Sequence, residues 1–448
     1  MKRNETGTDL TGGPIVSRIL LLAVPFLGSS LIQAMYSMVD SVFIGQFIGT
    51  EASASASAGS NITLILTTLF YGLASGVGVA CAKAFGAKDD YWLGEIIHTV
   101  LLFTVAAGVV LTAGTELLSE QLLMLLNTPS EILAEADSYL RIYLLSVSAT
   151  IIFDTANGIL GALGDSASAL KYQIVGSILN IALDALFAVV LGTGINGIAA
   201  ASVISQAAAA VLILLKTARL PEAYAFRLKR LHMNRNALSE VLKVGIPSAV
   251  ESGLISFSHT VIQAQINTLG TVSIAAFSAY CQAENFVYYP IGAIGSSSIN
   301  FIGQNLGAGK KERLRKGERT AVIMAVAAGM FSSVICILLR SRIFGLFTTD
   351  QEVLELGCRM ALRAFPFYCI YGFIEIFSGI LRGQGLSVPP MAVTLAFMGA
   401  GRVAVLFFIM SVWPDAVSAV TVYPLSWAMT AASLGLACRI CRKKGSLI

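Results

Sequence analysis

Long apolar runs are the feature that most restricts how this chain can fold. Its 448 residues are 56% hydrophobic and only 12% charged, with a mean hydropathy of +0.77, whereas soluble proteins carry about 25% charged residues. A bilayer core requires about 20 mostly apolar residues per helix. The sequence therefore predicts an all-α integral membrane protein with twelve spans, near 15–46, 56–82, 95–117, 138–161, 169–191, 196–216, 241–267, 275–303, 319–340, 359–381, 390–412 and 418–438.

The distribution of basic residues predicts the orientation. With the N-terminus inside, 24 of the 30 Lys and Arg residues fall in cytoplasmic segments, as the positive-inside rule requires. Both termini are then cytoplasmic. The formal net charge of only +4 gives no indication of a nucleic-acid partner.

An internal repeat divides the chain into two similar halves. The motif "GILGALGDS" at 158–166 matches "GILRGQGLS" at 379–387, and "AFGA" at 84–87 matches "NLGA" at 305–308. Both pairs are 221 residues apart. We therefore expect an N-terminal six-helix lobe at 1–216, a cytoplasmic linker at 217–240 and a C-terminal six-helix lobe at 241–448. Duplication of this kind is typical of transporters.

Ionisable residues inside the spans are candidate functional sites, because a charge in the bilayer is costly. Some of them could equally be partnered structural groups. They are Asp40, Asp154, Asp184, Glu251, His259, Glu284, Glu375 and Arg402.

Asp40 and Asp184 are predicted to lie at one depth in the outer half of the N-terminal lobe. Counting from Gly49 and Gly192 at the outer ends of their spans places both about 12–13 Å deep. Asn180 lies one turn from Asp184 on the same helical face, and Ser202 reaches a comparable depth of about 8 Å. Hard oxygen ligands suit Na⁺ or a shared proton rather than a soft metal. If these helices are not adjacent, the residues never meet.

The remaining candidates admit structural readings. Asp154 and Glu375 occupy equivalent positions in the repeat, which favours gating or helix packing. Arg402 is a candidate counter-charge for Glu375 or Glu284. His259 is interpreted either as a polar group that is hydrogen-bonded within the bundle or as a proton relay. Glu251 and Glu284 could face a second cation path. The last candidates are Pro25 and Pro247, at equivalent places in spans 1 and 7, where each is a hinge or a static kink.

An ordered set of motifs resembles the multidrug and toxic compound extrusion (MATE) transporters. The set comprises "MVDSVFIGQFIG" in span 1, "AFGAKD" after span 2, "GILGALGD" after span 4, "GINGIAAASVISQ" in span 6, "GIPSAVES" in span 7, "NLGAGK" after span 8 and "GILRGQG" after span 10. The resemblance covers nearly the whole chain and extends to the DinF-like prokaryotic branch.

The resemblance implies a V-shaped pair of lobes that exports cationic or amphipathic compounds in exchange for Na⁺ or H⁺. It assigns cation coupling to Asp40, Asn180, Asp184 and Ser202, with Asp40 and Asp184 as metal ligands if the ion is Na⁺. It also assigns pocket-lining roles to Gln33, Tyr36 and Asn157. No cofactor is expected. We expect a monomer in a prokaryotic plasma membrane.

Two other functions are alternatives to export. A flippase for a lipid or lipid-linked oligosaccharide, in the same superfamily, would call for a basic cavity, whereas the ionisable residues singled out inside the spans include six acids and one Arg. An intramembrane enzyme is disfavoured, because the three histidines lack metal-ligand spacing and no G-x-S-x-G elbow occurs.

Overall fold

Twelve long helices form the fold of the described part of the chain. The computed structural model describes residues 7–125, 128–445 and 447, and helices are the only regular secondary structure in that part of the chain. The helices are α1 Ile15–Ile48, α2 Thr50–Ala87, α3 Asp90–Leu125, α4 Ser130–Ala162, α5 Ser166–Val190, α6 Ile195–Ala218, α7 Arg235–Asn267, α8 Thr271–Gly307, α9 Lys311–Leu338, α10 Gln351–Gly383, α11 Val388–Val412 and α12 Ala416–Lys443.

The helices coincide with the predicted spans, which confirms the all-α membrane class. Ten of them are long and apolar enough to cross a bilayer by length and composition. The other two, α7 and α8, are as long but more polar. Glu251 and His259 lie in α7, and Glu284 lies in α8. Three of the eight ionisable candidates therefore lie in the two more polar spans.

Side-chain caps fix several helix starts. Asp165 accepts a hydrogen bond from the Ser168 backbone N–H at the start of α5. Asp350 caps α10 and Asp415 caps α12 in the same way. Each carboxylate satisfies N–H groups that have no partner inside the helix. These acids therefore end the preceding loops and begin the next span.

The chain forms two compact units. Unit 1 contains residues 7–9 and 28–245, and unit 2 contains 10–27 and 246–448. In unit 1, α4 packs against α2, α3 and α6, and α5 packs along α6. In unit 2, α10 packs correspondingly against α8, α9 and α12. The two halves of the repeat thus build the same packing arrangement.

The first helix is shared between the units. The predicted lobes at 1–216 and 241–448 differ from this division at residues 10–27, which belong to unit 2. Leu10, Ile19 and Leu22 are fully buried in the unit 2 core. The Leu10 backbone N–H also donates to Gln304 Oε1 at 2.9 Å. Burial of these apolar side chains accounts for the assignment.

The predicted linker at 217–240 belongs to unit 1. Leu220, Tyr224 and Ala225 are buried together with Ala237 in a core built mainly from α2, α3, α4 and α6. The segment is polar in overall composition, and Leu228 and Met233 are exposed, but these four side chains lie in the core. The linker is therefore docked at these points rather than being a free connection.

Backbone conformation repeats at the same spacing as the sequence. Six of the ten described residues with positive φ occur in pairs 221 apart: Gly49 with Gly270, Lys88 with Gly309, and Gly164 with Gly385. Lys88, at φ 60°, is the only non-glycine residue in this region among the residues that the structure describes. Left-handed backbone favours glycine because it lacks a Cβ. Three of the turns between spans thus have the same conformation in the two halves of this chain.

Candidate functional site

Asp40 and Asp184 converge in unit 1. Asp40 is half-buried near the end of α1, and Asp184 is fully buried on α5. The Asn180 amide nitrogen, in the orientation that satisfies its hydrogen bonds, donates to Asp40 Oδ1 at 3.0 Å and to Asp184 Oδ2 at 3.2 Å. One amide nitrogen thus holds both carboxyl groups, which places them near each other. Two bare carboxylates at such short range repel each other strongly.

Ser202 completes the predicted set from α6. Its Oγ donates to Asp40 Oδ2 at 3.5 Å and accepts from the Tyr36 hydroxyl at 2.8 Å. Ser202 and Asn180 have no exposed surface, and Tyr36 is 4% exposed. The structure therefore brings together all four residues named for cation coupling. It also joins Tyr36, expected in the substrate pocket, to the same network.

Helix geometry changes next to both acids. A π-helical turn, Ala185–Val190, begins directly after Asp184, and another, Ile44–Ile48, begins four residues after Asp40. Such turns are rare and concentrate at functional sites. The two turns also pack against each other. The carboxylates thus lie on regular helix immediately before a local change in backbone geometry.

Tyrosines surround the site, and sequence analysis missed two of them. Tyr143 lies beside the Tyr36 hydroxyl, and its ring stacks on Tyr139 with centroids 5.5 Å apart. Both come from α4, where the spacing of four residues places them on one face. The spacing of the two tyrosines in "YLRIY" was the one sequence signal that could have indicated them. It predicts a shared face but gives no indication that the face meets α1.

Gln33 lies two turns before Asp40 on α1. Its Oε1 accepts from Gln173 Nε2 at 3.0 Å, and Gln173 lies seven residues before Asn180 on α5. The pair Gln33–Gln173 thus repeats the pair Asp40–Asn180 along the same two helices. Asn157 is half-buried on α4, and its Oδ1 has no hydrogen-bond partner among the described residues.

The ionisable groups of unit 2 separate into two clusters. In the first, Glu251 Oε1 accepts from Ser378 Oγ at 3.0 Å and from Thr394 Oγ1 at 3.2 Å. Its Oε2 has no partner among the described residues. Glu375 forms an ion pair with Arg382 at 3.9 Å. Asp154, its counterpart in unit 1, is half-buried on α4.

The second cluster surrounds Arg402. Its Nε donates to Ser426 Oγ at 2.9 Å, and its guanidinium lies 5.1 Å from the centre of the Tyr423 ring. The Tyr423 hydroxyl is 3.0 Å from His259 Nδ1. Glu284 accepts a hydrogen bond from Tyr368.

The Arg402 guanidinium attracts the Glu284 carboxylate, in line with the predicted counter-charge, although Arg402 Nη1 and Nη2 have no hydrogen-bond partner among the described residues. Glu375 pairs with Arg382, and Glu284 is hydrogen-bonded to Tyr368. The role of Arg402 as a structural counter-charge stays a prediction. Pro25 and Pro247 lie inside continuous helices, as does Pro290, which the sequence analysis did not single out.

Comparison with known proteins identifies the family. The family model described as MatE matches residues 25–186 and again residues 247–408. The chain belongs to the MatE family. MatE proteins are transporters and not enzymes, so the site described above lies in a membrane transporter. The double match also agrees with the internal repeat.

Individual MatE relatives match over most of their length. The chain is 26% identical to the probable multidrug resistance protein YoeA of Bacillus subtilis (strain 168), over 86% of this chain and 85% of that one. It is 25% identical to the multidrug export protein MepA of Staphylococcus aureus (strain MSSA476), over 88% and 87%. A solved outward-facing conformation of a multidrug resistance MATE family transporter of the MOP superfamily has the same fold, with a TM-score of 0.91, 20% identity and 98% coverage of each chain.

Proposed function

We propose that this transporter exports cationic or amphipathic small molecules in exchange for Na⁺ or H⁺ bound between Asp40 and Asp184. The observation that carries the proposal is a pair of carboxyl groups, one half-buried and one fully buried, that both accept hydrogen bonds from the Asn180 amide. A buried acid pair is costly unless it serves to bind something. An exchangeable cation accounts for both the pair and its polar surroundings.

The residues at this site fit either ion. A proton is shared between the carboxyl groups, and Ser202 and Tyr36 then supply a hydrogen-bonded chain to Asp40. For Na⁺, the two carboxylates and the oxygens of Asn180 and Ser202 are the hard ligands that such a cation prefers. Asn180 can present its nitrogen to the bare carboxylates, or its oxygen to a cation. Rotation of the Asn180 amide thus suits both the ion-free and the ion-bound site.

Coupling follows if ion and substrate favour different conformations. A ligand shifts a conformational equilibrium only through its different affinities for the two states. Ion binding at Asp40 and Asp184 would favour the state that releases the drug, and drug binding would favour release of the ion. This is alternating access by antiport. Pro25 and Pro247 are candidate bending points for the change.

The substrate class rests on relatives and on charge. YoeA and MepA are described as multidrug resistance and multidrug export proteins, and six of the eight ionisable residues singled out inside the spans are acids. The pairing of acids in spans 1 and 5 resembles the DinF-like branch. We further propose that the protein is a monomer in a prokaryotic plasma membrane, with both termini cytoplasmic.

Efflux from proteoliposomes with separately imposed Na⁺ and pH gradients tests the proposal. A cationic dye such as ethidium serves as the transported probe. We expect one gradient to drive efflux, and Asp40→Asn and Asp184→Asn each to abolish that dependence. Glu120→Gln, which removes an exposed acid at the end of α3, is the control and should behave as the wild type.

Three outcomes would contradict the proposal. Full gradient-driven efflux by both Asn variants would exclude this site as the coupling site. Efflux that responds to neither gradient would exclude ion antiport. Movement of a fluorescent anionic phospholipid across the bilayer, without efflux of the dye, would favour the flippase alternative.

A further inference from the structure

A cleft lies at the end of α6, outside the coupling site. Its volume is about 570 Å³, and Val211, Leu215 and Phe226 contribute to its apolar floor. Its rim carries Arg227 and Lys229 together with Arg230. Leu215 is 13 residues from Ser202 along α6, or about 20 Å at the helical rise. The cleft is therefore a separate feature of unit 1.

The floor of the cleft continues an exposed apolar face of a membrane-spanning helix. Ile204, Val211 and Leu215 are 45%, 54% and 50% exposed, and their spacing places them on one side of α6. In a span, such a face contacts lipid tails. An acyl chain that follows this face downwards would thus reach the floor of the cleft without crossing a polar barrier.

The rim is positively charged and only weakly neutralised. Lys229 and Arg230 are exposed, and the nearest opposing acid is Glu222, whose Oε1 lies 3.9 Å from Arg230 Nη2. That surface pair contributes little, because both groups are solvated. Lys216, one turn inside the helix, is already paired with Asp165 at 3.1 Å. Positive charge therefore concentrates on the rim at the end of the span.

The rim is preformed rather than loose. The Phe226 backbone N–H donates to the Thr217 carbonyl at 3.2 Å, and the Arg227 N–H donates to His98 Nε2 at 3.2 Å. Arg227 Nη1 donates to the Ala218 carbonyl at 3.0 Å. Ala225, next to the rim, is fully buried. Because the backbone of the rim is already fixed, binding of a ligand loses little conformational entropy there, which favours specific binding.

We propose that this cleft binds an anionic phospholipid of the adjacent leaflet. The phosphate would lie against Lys229 and Arg230, and one acyl chain would lie along Val211 and Leu215. Basic pockets at the ends of spans recognise anionic head groups in this way. The proposed cytoplasmic position of the linker makes the inner leaflet the source. The proposal does not depend on the identity of the exported compound or the coupling ion.

Native mass spectrometry of the full-length protein, purified in detergent and supplied with phosphatidylglycerol or phosphatidylcholine, tests this assignment. We expect the wild type to retain one phosphatidylglycerol in preference to phosphatidylcholine. Lys229→Gln/Arg230→Gln should weaken retention about tenfold or more. Arg235→Gln/Lys243→Gln, which removes two exposed charges from α7 outside the cleft, is the matched control and should retain the lipid.

Two further measurements separate the lipid from a simple phosphate and test the contribution of charge. Glycerol phosphate supplies the head group without acyl chains, and it should displace phosphatidylglycerol poorly. Retention by the wild type should fall as ionic strength rises, because exposed charges are screened. Equal retention of both lipids, unchanged retention by Lys229→Gln/Arg230→Gln, or complete displacement by glycerol phosphate would each overturn the proposal.

Discussion

Asp40 and Asp184 accept hydrogen bonds from one amide nitrogen, so the position of each carboxyl group restrains the other. They come from α1 and α5, which are separated by three intervening spans. A single side chain, Asn180, therefore fixes the spacing of the acids. Variants of this amide test the site without removing either acid.

Asn180→Ala should uncouple transport from the ion gradient. It removes the donor shared by both carboxyl groups, and hydrogen bonds to charged groups contribute about 1.5–3 kcal/mol. We expect gradient-driven efflux to fall at least tenfold while the apparent affinity for substrate changes little. Ser177→Ala, one turn earlier on α5, removes a buried hydroxyl with no partner among the described residues and serves as the control. Equal effects of the two variants would argue for a packing defect.

Ion-driven efflux should require the Ser202 hydroxyl, and threonine, which keeps the hydroxyl, should be tolerated at this position. Ser202 links Tyr36 to Asp40, so Ser202→Ala leaves the Tyr36 hydroxyl without its buried acceptor, at a cost of about 1–3 kcal/mol. We expect Ser202→Thr to retain ion-driven efflux and Ser202→Ala to lose most of it. Ser205→Ala is the control, because Ser205 Oγ bonds only its own helix backbone at Ser202. Full efflux by Ser202→Ala would remove the hydroxyl from the coupling site.

Glu251→Gln distinguishes one coupling site from two. Glu251 is held on one oxygen by Ser378 and Thr394, and its other oxygen has no partner among the described residues. If coupling resides in unit 1, Glu251→Gln should retain the gradient dependence that Asp40→Asn loses. The measurement is the same dye efflux under imposed gradients. Loss of ion dependence in Glu251→Gln would instead place a second cation site in unit 2.

Lys88 and Gly309 occupy equivalent turns in the two repeats, and exchanging their residue types should raise stability at one turn and lower it at the other. Lys88 has φ 60°, and its counterpart Gly309 has φ 68°. Left-handed backbone costs a non-glycine residue about 1–2 kcal/mol, so we expect Lys88→Gly to raise the melting temperature in detergent. Gly309→Lys should lower it, since a Cβ there meets no atom within 4 Å and backbone strain alone remains. Lys88→Ala, which keeps the strain without the charge, should not match Lys88→Gly.

The docking of the linker should depend weakly on pH through His232. The Arg230 carbonyl and the carboxylate of Glu95, with Nε2 to Oε2 at 2.9 Å, raise the pKa of His232 above its usual 6.5. A raised pKa stabilises the folded state below pH 6.5, and that contribution is lost as pH rises through the higher folded value. The melting-temperature difference between wild type and His232→Gln should therefore shrink with rising pH. A difference independent of pH would exclude this ion pair.

Depth was predictable from the sequence, and helix rotation was not. Counting residues from Gly49 and Gly192 placed Asp40 and Asp184 at one level, and the structure joins them through one amide. The same counting gave no direction for Arg402, which bonds Ser426 and lies against the Tyr423 ring. The two tyrosines of α4 were missed for the same reason. Side-chain direction depends on packing between helices, which periodicity within one span does not contain.

The division of α1 between two units was also beyond the sequence. Residues 15–48 read as one apolar helix, and nothing in their composition marks a change between Leu27 and Gly28. The assignment depends on Leu10, Ile19 and Leu22, which are buried by residues more than 200 positions away. Long-range burial of this kind follows only from the tertiary fold.

The early position of residues 10–27 has a consequence for biosynthesis. These residues leave the ribosome before residues 28–245, yet they belong to the core of the unit whose remaining residues, from 246 onwards, are translated after them. Unit 1 has all of residues 28–245 available while unit 2 is still missing most of its chain. Residues 10–27 are therefore without their final neighbours until the helices of unit 2 have been made. A nascent chain stalled before residue 246 would expose this segment to insertion and quality-control factors.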